Sequence, residues 1–255
     1  MLFHFLEGKH VPVASDNTTD LWWLDLDGCS SEIANWERLL PSEELERARG
    51  FATVQLQQRS LAAQAALRVI LASYCGESPR SLSLHRSASG KPALSGTSTL
   101  EFNLSHSAGV ALLAISQGQS KRKPLGVDLE QLRPNIDWRG IAGQAFHPRE
   151  QSAVEEWAER GFFGVWTRKE AWLKALGTGW TDQAKQVCVI PEDWNPDQSA
   201  VLPVEEASQT FWIRGLPPLR TELGEWAAAL CLTEAAASLC WKKPEDFAQR
   251  WAEWG

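Results

Sequence analysis

The chain has 255 residues, a net charge of −7, 44% hydrophobic and 22% charged residues, which is the make-up of a globular protein of one large domain or two compact halves. The acidic balance argues against a nucleic-acid-binding surface, which relies on cations. Five cysteines without a CxxC pair argue against a disulfide framework or a zinc site, and no stretch approaches the ~20 apolar residues of a membrane span. Residues 1–7 lack the basic start and apolar run of a signal peptide, so the expected location is the cytoplasm. Fourteen tryptophans against one tyrosine and one methionine predict a core built on indole rings.

In chain order, residues 21–26 read as a strand and 31–40 as a helix that stops before Pro41. A second helix is predicted over 42–49, with Ser42 as N-cap and Glu43 and Glu44 in its first turn. The Ala- and Leu-rich run 56–74 is the clearest helix of the first half, and 87–99 is a Ser-, Gly- and Pro-rich loop. Strands follow at 100–104 and 110–115, separated by 105–109. Residues 117–124 form a polar linker whose basic cluster, Lys121, Arg122 and Lys123, reads as a solvated loop.

Beyond it come a strand at 125–130 and helices at 137–145, 148–160 and 162–176. Pro148 suits a first helical position, and Gly177 and Gly179 suit a helix end. Short strands are predicted at 187–190, 209–213 and 227–232, and a Trp-bearing helix after Pro244.

Four groups of residues could carry chemistry. In a strand over Gly126, Val127, Asp128, Leu129 and Glu130, the two acids share one face while Val127 and Leu129 face a core. Paired hard oxygens suit Mg²⁺ with a phosphate substrate, and they equally suit an exposed strand face. On a helix carrying Trp166 to Lys174, Glu170 and Lys174 lie one turn apart. That spacing fits a site, a surface ion pair, or, for Thr167 and Glu170, a capping box. The run Phe102, Asn103, Leu104, Ser105, His106, Ser107 places hydroxyls and an imidazole at a strand end, which can contact phosphate or be structural. Adjacent Ser105 and His106 without a G-x-S-x-G elbow do not make a hydrolase pair. Arg59 and Arg68 are nine residues apart, out of helical phase, and should not serve one site. P-loop, dinucleotide and HExxH zinc signatures are absent from the sequence.

Taken in order, these segments resemble the Sfp-type 4′-phosphopantetheinyl transferase family. The resemblance rests on Gly126 to Glu130, on Trp166 to Lys174, on Phe102 to His106, on Gly90, Lys91 and Pro92, and on Phe146 to Glu150. No motif is matched past residue 176. The family implies an α+β fold of two similar halves related by a pseudo-two-fold, with the active site between them. The expected division is residues 1–120, with the coenzyme A nucleotide contacts, and 121–255, with the acids and the catalytic helix.

By resemblance, Asp128, Glu130 and Glu170 hold Mg²⁺, and Glu170, Lys174 and His106 are catalytic. Arg47, Arg59, Lys91, Pro92, Ser105, His106 and Lys174 bind the co-substrate coenzyme A. Relatives often carry a further base ahead of Arg47, where this chain has Glu43 and Glu44. The implied reaction moves phosphopantetheine to a serine of an apo acyl or peptidyl carrier protein and releases 3′,5′-ADP. The carrier serves fatty acid or secondary metabolite synthesis, and the expected enzyme is a monomer without nucleic-acid or membrane partners. Two other readings of the residues stay open: a different Mg²⁺-dependent phosphate enzyme, such as a phosphohydrolase, and a non-catalytic module that binds coenzyme A or a carrier.

Overall fold

A computed structural model describes residues 18–28, 33–87, 89–96, 98–118, 122–222, 224–235 and 237–254. The expected reading of residues 1–7, and of Lys121, lies outside them. Strand alternation sorts the core into three layers. In β5 (Val110–Gln117), Ala111, Leu113 and Ile115 face the long helix α3 (Val54–Cys75), while Val110, Leu112 and Ala114 face the other way. In β10 (Gly224–Leu232), Ala229 and Cys231 face the helix α5 (Pro148–Leu176), while Trp226, Ala228 and Leu230 meet the second face of β5. Two sheets thus pack face to face, each covered outside by a long helix. Trp22, Trp172 and Trp226 are fully buried, one in each layer.

The two halves repeat one plan. Strand β1 (Thr18–Asp25), α3, β4 (Leu100–Ser107) and β5 give the sheet order β1-β5-β4. Strand β6 (Leu125–Gln131), α5, β8 (Gln209–Gly215) and β10 give β6-β10-β8. In each half the first strand pairs antiparallel with the last. This is the α+β architecture of two similar halves. Short helices α1 (Ile33–Leu39) and α2 (Ser42–Arg49) pack on the first half, with the hairpin β2 (Leu84–Arg86) and β3 (Pro92–Leu94) beside them. Helix α4 (Trp138–Ala145), a 3-10 turn (Asp182–Lys185), β7 (Val201–Glu206) and β9 (Leu219–Thr221) complete the second.

Strand β11 (Ser238–Lys242) and helix α6 (Pro244–Trp254) belong in sequence to the second half but lie on the first. β11 runs parallel to β1, and Phe247 and Trp251 of α6 join the core under α3. A buried polar clasp holds this return: Lys242 Nζ lies 3.0 Å from Asp20, which also accepts from the Tyr74 hydroxyl.

Several expectations change. Residues 105–107 belong to β4, because Ala108 (φ 49°) and Gly109 (φ 84°) alone turn the chain into β5. Two positive φ values make the hairpin turn whose twist matches the strands. The strand expected at 187–190 is a loop: Val189 and Ile190 are buried, but the Val189 N–H donates to Glu150 Oε1 (2.8 Å) instead of a neighbouring strand. A four-residue apolar run does not distinguish the two. Pro41 occupies the cap position of α2 in place of Ser42. The helices expected at 148–160 and 162–176 form one element broken at Ala158 (φ 49°, ψ −131°). The basic cluster is not simply solvated: Arg122 donates to the Ser98 (2.9 Å) and Leu94 carbonyls, and Lys123 pairs with Glu234.

Two contacts fix α5. At its start, His147 and Glu150 form a capping box, and the buried Glu150 pairs with the equally buried Lys169 at 2.9 Å. Lys169 completes its shell on the carbonyls of Ala184 (2.8 Å) and Val187 (2.7 Å). Further along, the helix backbone presses on Gly126: a Cβ there would sit 1.9 Å from the Ala171 oxygen and 2.5 Å from the Ala175 nitrogen. Only a residue without a side chain lets β6 approach that closely. Gly126→Ala is therefore expected to lose about 1–3 kcal/mol or more in urea denaturation, the range of an overpacked core. Lys169→Met, which strands a buried carboxylate, is expected to lose about 3–5 kcal/mol, and adding Glu150→Gln should restore part of it in the same assay.

Candidate active site

Strands β4 and β6 are the facing edges of the two sheets, and side chains rather than a backbone ladder join them. Alternation aims Asn103, Ser105 and Ser107 of β4 at β6. Asn103 Oδ1 accepts from the Val127 N–H at 2.7 Å. Ser105 donates to Asp128 Oδ1 at 2.8 Å, and Ser107 donates to Glu130 Oε2 at 2.7 Å while accepting from the Gln131 N–H at 3.1 Å. The Trp226 indole N–H adds a bond to the Ser107 carbonyl at 3.2 Å. Two exposed edges, which would otherwise invite foreign strands, are thereby consumed.

Helix α5 divides its motif by helical phase. Thr167, Arg168 and Lys169 are buried. Thr167 sits in mid-helix and donates to the Phe163 carbonyl at 2.9 Å, so it makes no capping box with Glu170. Arg168 donates to the Gly164 carbonyl at 3.0 Å, and burial pushes its guanidinium down to about 10. Trp166, Glu170 and Lys174, one turn apart each, face β6. Lys174 Nζ donates to Asp128 Oδ1 (2.6 Å), Ser105 Oγ (3.0 Å) and the Val127 carbonyl (3.3 Å). It does not pair with Glu170, whose Oε1 accepts instead from the Trp180 indole N–H.

The result is an open cleft of about 310 Å³ lined by Leu104, Ser105, His106, Asp128, Glu130, Trp166, Glu170 and Lys174. Three carboxylates face one ammonium there, an excess of negative charge in a partly desolvated place. Burial raises the pKa of Glu130 against its hydrogen bond from Ser107, with Asp128 adding to the rise. Burial likewise raises Glu170, opposed by Trp180 and reinforced by Asp128. Partial burial and the nearby Lys174 ammonium push the His106 imidazole below its usual range, which favours its neutral form. Asp128 Oδ2 is buried and, among the described residues, has no hydrogen-bond partner.

An orphaned carboxylate oxygen beside two more acids suits a hard cation. Among the described residues, however, no three such side chains are gathered as a ready ligand set. Separate partners hold them: Lys174 and Ser105 on Asp128, Ser107 on Glu130, Trp180 on Glu170.

The remaining expected residues lie elsewhere than the cleft lining. Arg47 pairs with Glu43 at 3.3 Å on the surface of α2. Arg59 clamps Asp27 through two nitrogens, which lowers that carboxyl. Lys91 bonds Glu101 (2.8 Å) and the Leu125 carbonyl (2.7 Å), and Pro92 opens β3. Glu44 is taken by Arg68 at 2.7 Å, which confirms that Arg59 and Arg68 serve different places. Sequence reasoning held Asn103, Ser107 and Trp166 within its motif runs without assigning them partners, and it missed Trp180. Alternation carried through residue 107 aligns Asn103 and Ser107 with Ser105, and helical phase aligns Trp166 with Glu170. Trp180 carries no periodic signal.

Profiles of two related families match successive parts of the chain: "4′-phosphopantetheinyl transferase, N-terminal" over residues 27–118 and "4′-phosphopantetheinyl transferase superfamily" over residues 124–231. The 4′-phosphopantetheinyl transferase HetI of Nostoc sp. is 38% identical over 166 residues, covering 62% of this chain and 68% of the relative. A putative 4′-phosphopantetheinyl transferase of Synechocystis sp. is 32% identical over 213 residues, 79% of this chain and 83% of the relative. The 4′-phosphopantetheinyl transferase of Bacillus subtilis is 29% identical over 143 residues, 54% and 60% of the two chains. With both halves matched and the seam between them carrying the acids, the serines and the lysine, the chain belongs to the 4′-phosphopantetheinyl transferase superfamily.

Proposed function

We propose that the cleft moves the 4′-phosphopantetheine arm of coenzyme A to a serine of an apo acyl or peptidyl carrier protein, releases 3′,5′-ADP, and uses Mg²⁺ held by Asp128, Glu130 and Glu170. The observation that carries this reading is Asp128, with one oxygen on Lys174 and the other buried without a partner among the described residues. When bound, the metal would neutralise charge on the pyrophosphate.

The residues supply the rest. Lys174 and Ser105 already touch each other, and with His106 they offer donors to the phosphates from one side. Glu170, its carboxylate paired to no cation, takes the proton from the carrier serine. The serine oxygen bonds to the β-phosphorus as the bond from that phosphorus to the bridging oxygen breaks, and 3′,5′-ADP carries off the electron pair. Arg47, Arg59, Lys91 and Pro92 take the nucleotide end. Lys91 and Pro92 lie along the adenine side, and the 3′-phosphate would compete with Glu43 and Asp27 for Arg47 and Arg59, the exposed Arg47 pair being the weaker to displace. The enzyme acts as a monomer in the cytoplasm on protein and coenzyme A rather than on nucleic acid, in keeping with the net charge of −7. Among the described residues no helix is long and apolar enough to cross a membrane.

Asp128→Ala and Glu170→Ala proteins with unchanged circular dichroism are expected to release 3′,5′-ADP in the presence of a carrier at least about 100-fold more slowly than wild type. Wild-type rates in either would end the assignment.

A further inference from the structure

Glu170 has an obvious cationic partner one turn away and does not use it. Lys174 is committed to Asp128, Ser105 and the Val127 carbonyl. Glu170 is bonded instead by a neutral donor from outside the helix, the indole of Trp180. The chain is shaped to deliver that ring. Gly177 (φ 73°) ends α5 in the left-handed region and Gly179 (φ 69°) turns again, so a residue ten positions on returns beside Glu170. The indole then stacks on Trp166, with ring centroids 5.0 Å apart and planes at 29°. Trp166 stacks in turn on Phe162 (5.7 Å), which is buried. An aromatic column anchored in the core therefore sets the position of the indole nitrogen, although Trp180 itself is 38% exposed.

We propose that Trp180 is a positioning residue of the transfer reaction, its indole N–H fixing Glu170 through Oε1 and leaving the second carboxylate oxygen for work in the cleft. This rests on the reading of Glu170 as the group that serves metal and nucleophile. A neutral donor is what that work requires. A lysine or arginine at this place would cancel the charge of Glu170, whereas an N–H dipole orients the carboxylate and keeps the charge available. The stacking supplies rigidity that a free side chain at a half-exposed position lacks.

Trp180→Phe removes the N–H and keeps a ring for the stack. Its kcat for carrier modification is expected to fall about tenfold with the KM for coenzyme A within about twofold, the size of effect seen when outer partners of site residues are lost. Trp180→Leu, which removes ring and donor, should lose about as much. The contact itself is read without turnover: the indole N–H resonance that vanishes from the ¹H–¹⁵N spectrum of Trp180→Phe should move in Glu170→Gln. Wild-type kcat in Trp180→Phe, a loss confined to Trp180→Leu, or an indole resonance unmoved by Glu170→Gln would each overturn the proposal. Absence of transfer by the wild-type protein would instead defeat the functional reading, and the resonance would still decide the contact.

Discussion

Asp128 is the point on which the two halves turn. It accepts from Ser105 of the first half and from Lys174 of α5, and it is almost fully buried. A buried carboxylate is tolerable only when paired and hydrogen-bonded, so the seam must bring a hydroxyl and an ammonium to it together. That demand fixes the register of β4 on β6 and the phase of α5 over both. Gly126, two residues earlier and on the same face, is where the helix backbone presses against β6 with no room for a Cβ. The site and the joint between the halves are thus one structure, and neither can loosen alone.

Charge is distributed there so that it is not cancelled. Of the three acids, Asp128 alone has a close cation; Glu130 is held by a serine hydroxyl, with Arg133 at a distant 3.7 Å, and Glu170 by an indole. Neutral donors stabilise carboxylates and leave the cleft with a negative excess. Such a cleft is open to a divalent ion accompanied by phosphates, whose charges would otherwise repel it. The cations Arg47, Arg59 and Lys91, proposed for the nucleotide end, each rest on an acid, so an anion bound there would have to exchange partners.

Much of this was legible in the sequence. Strand alternation alone puts Asp128 and Glu130 on one face with Val127 and Leu129 in the core, and helical phase alone puts Glu170 and Lys174 together. The plan of two similar halves came from the family resemblance, since the sequence itself shows no repeat. What stayed hidden depends on long-range partners. That Lys174 would leave Glu170 for Asp128 is decided by the approach of β6. That Lys169 serves Glu150, and not the cleft, is decided by the return of the loop at Val187 and Val189. The edge strands β7 and β11 are short and mostly solvent-facing, so they show little alternation, and β11 finds its partner more than two hundred residues upstream in β1.

The most direct test is the mass of a carrier protein after incubation with the wild-type chain, coenzyme A and Mg²⁺. A gain of one phosphopantetheine on an apo acyl or peptidyl carrier, abolished when the carrier serine is replaced by alanine, is the predicted result. No gain on any carrier, with phosphate released from coenzyme A or simple esters instead, would contradict it.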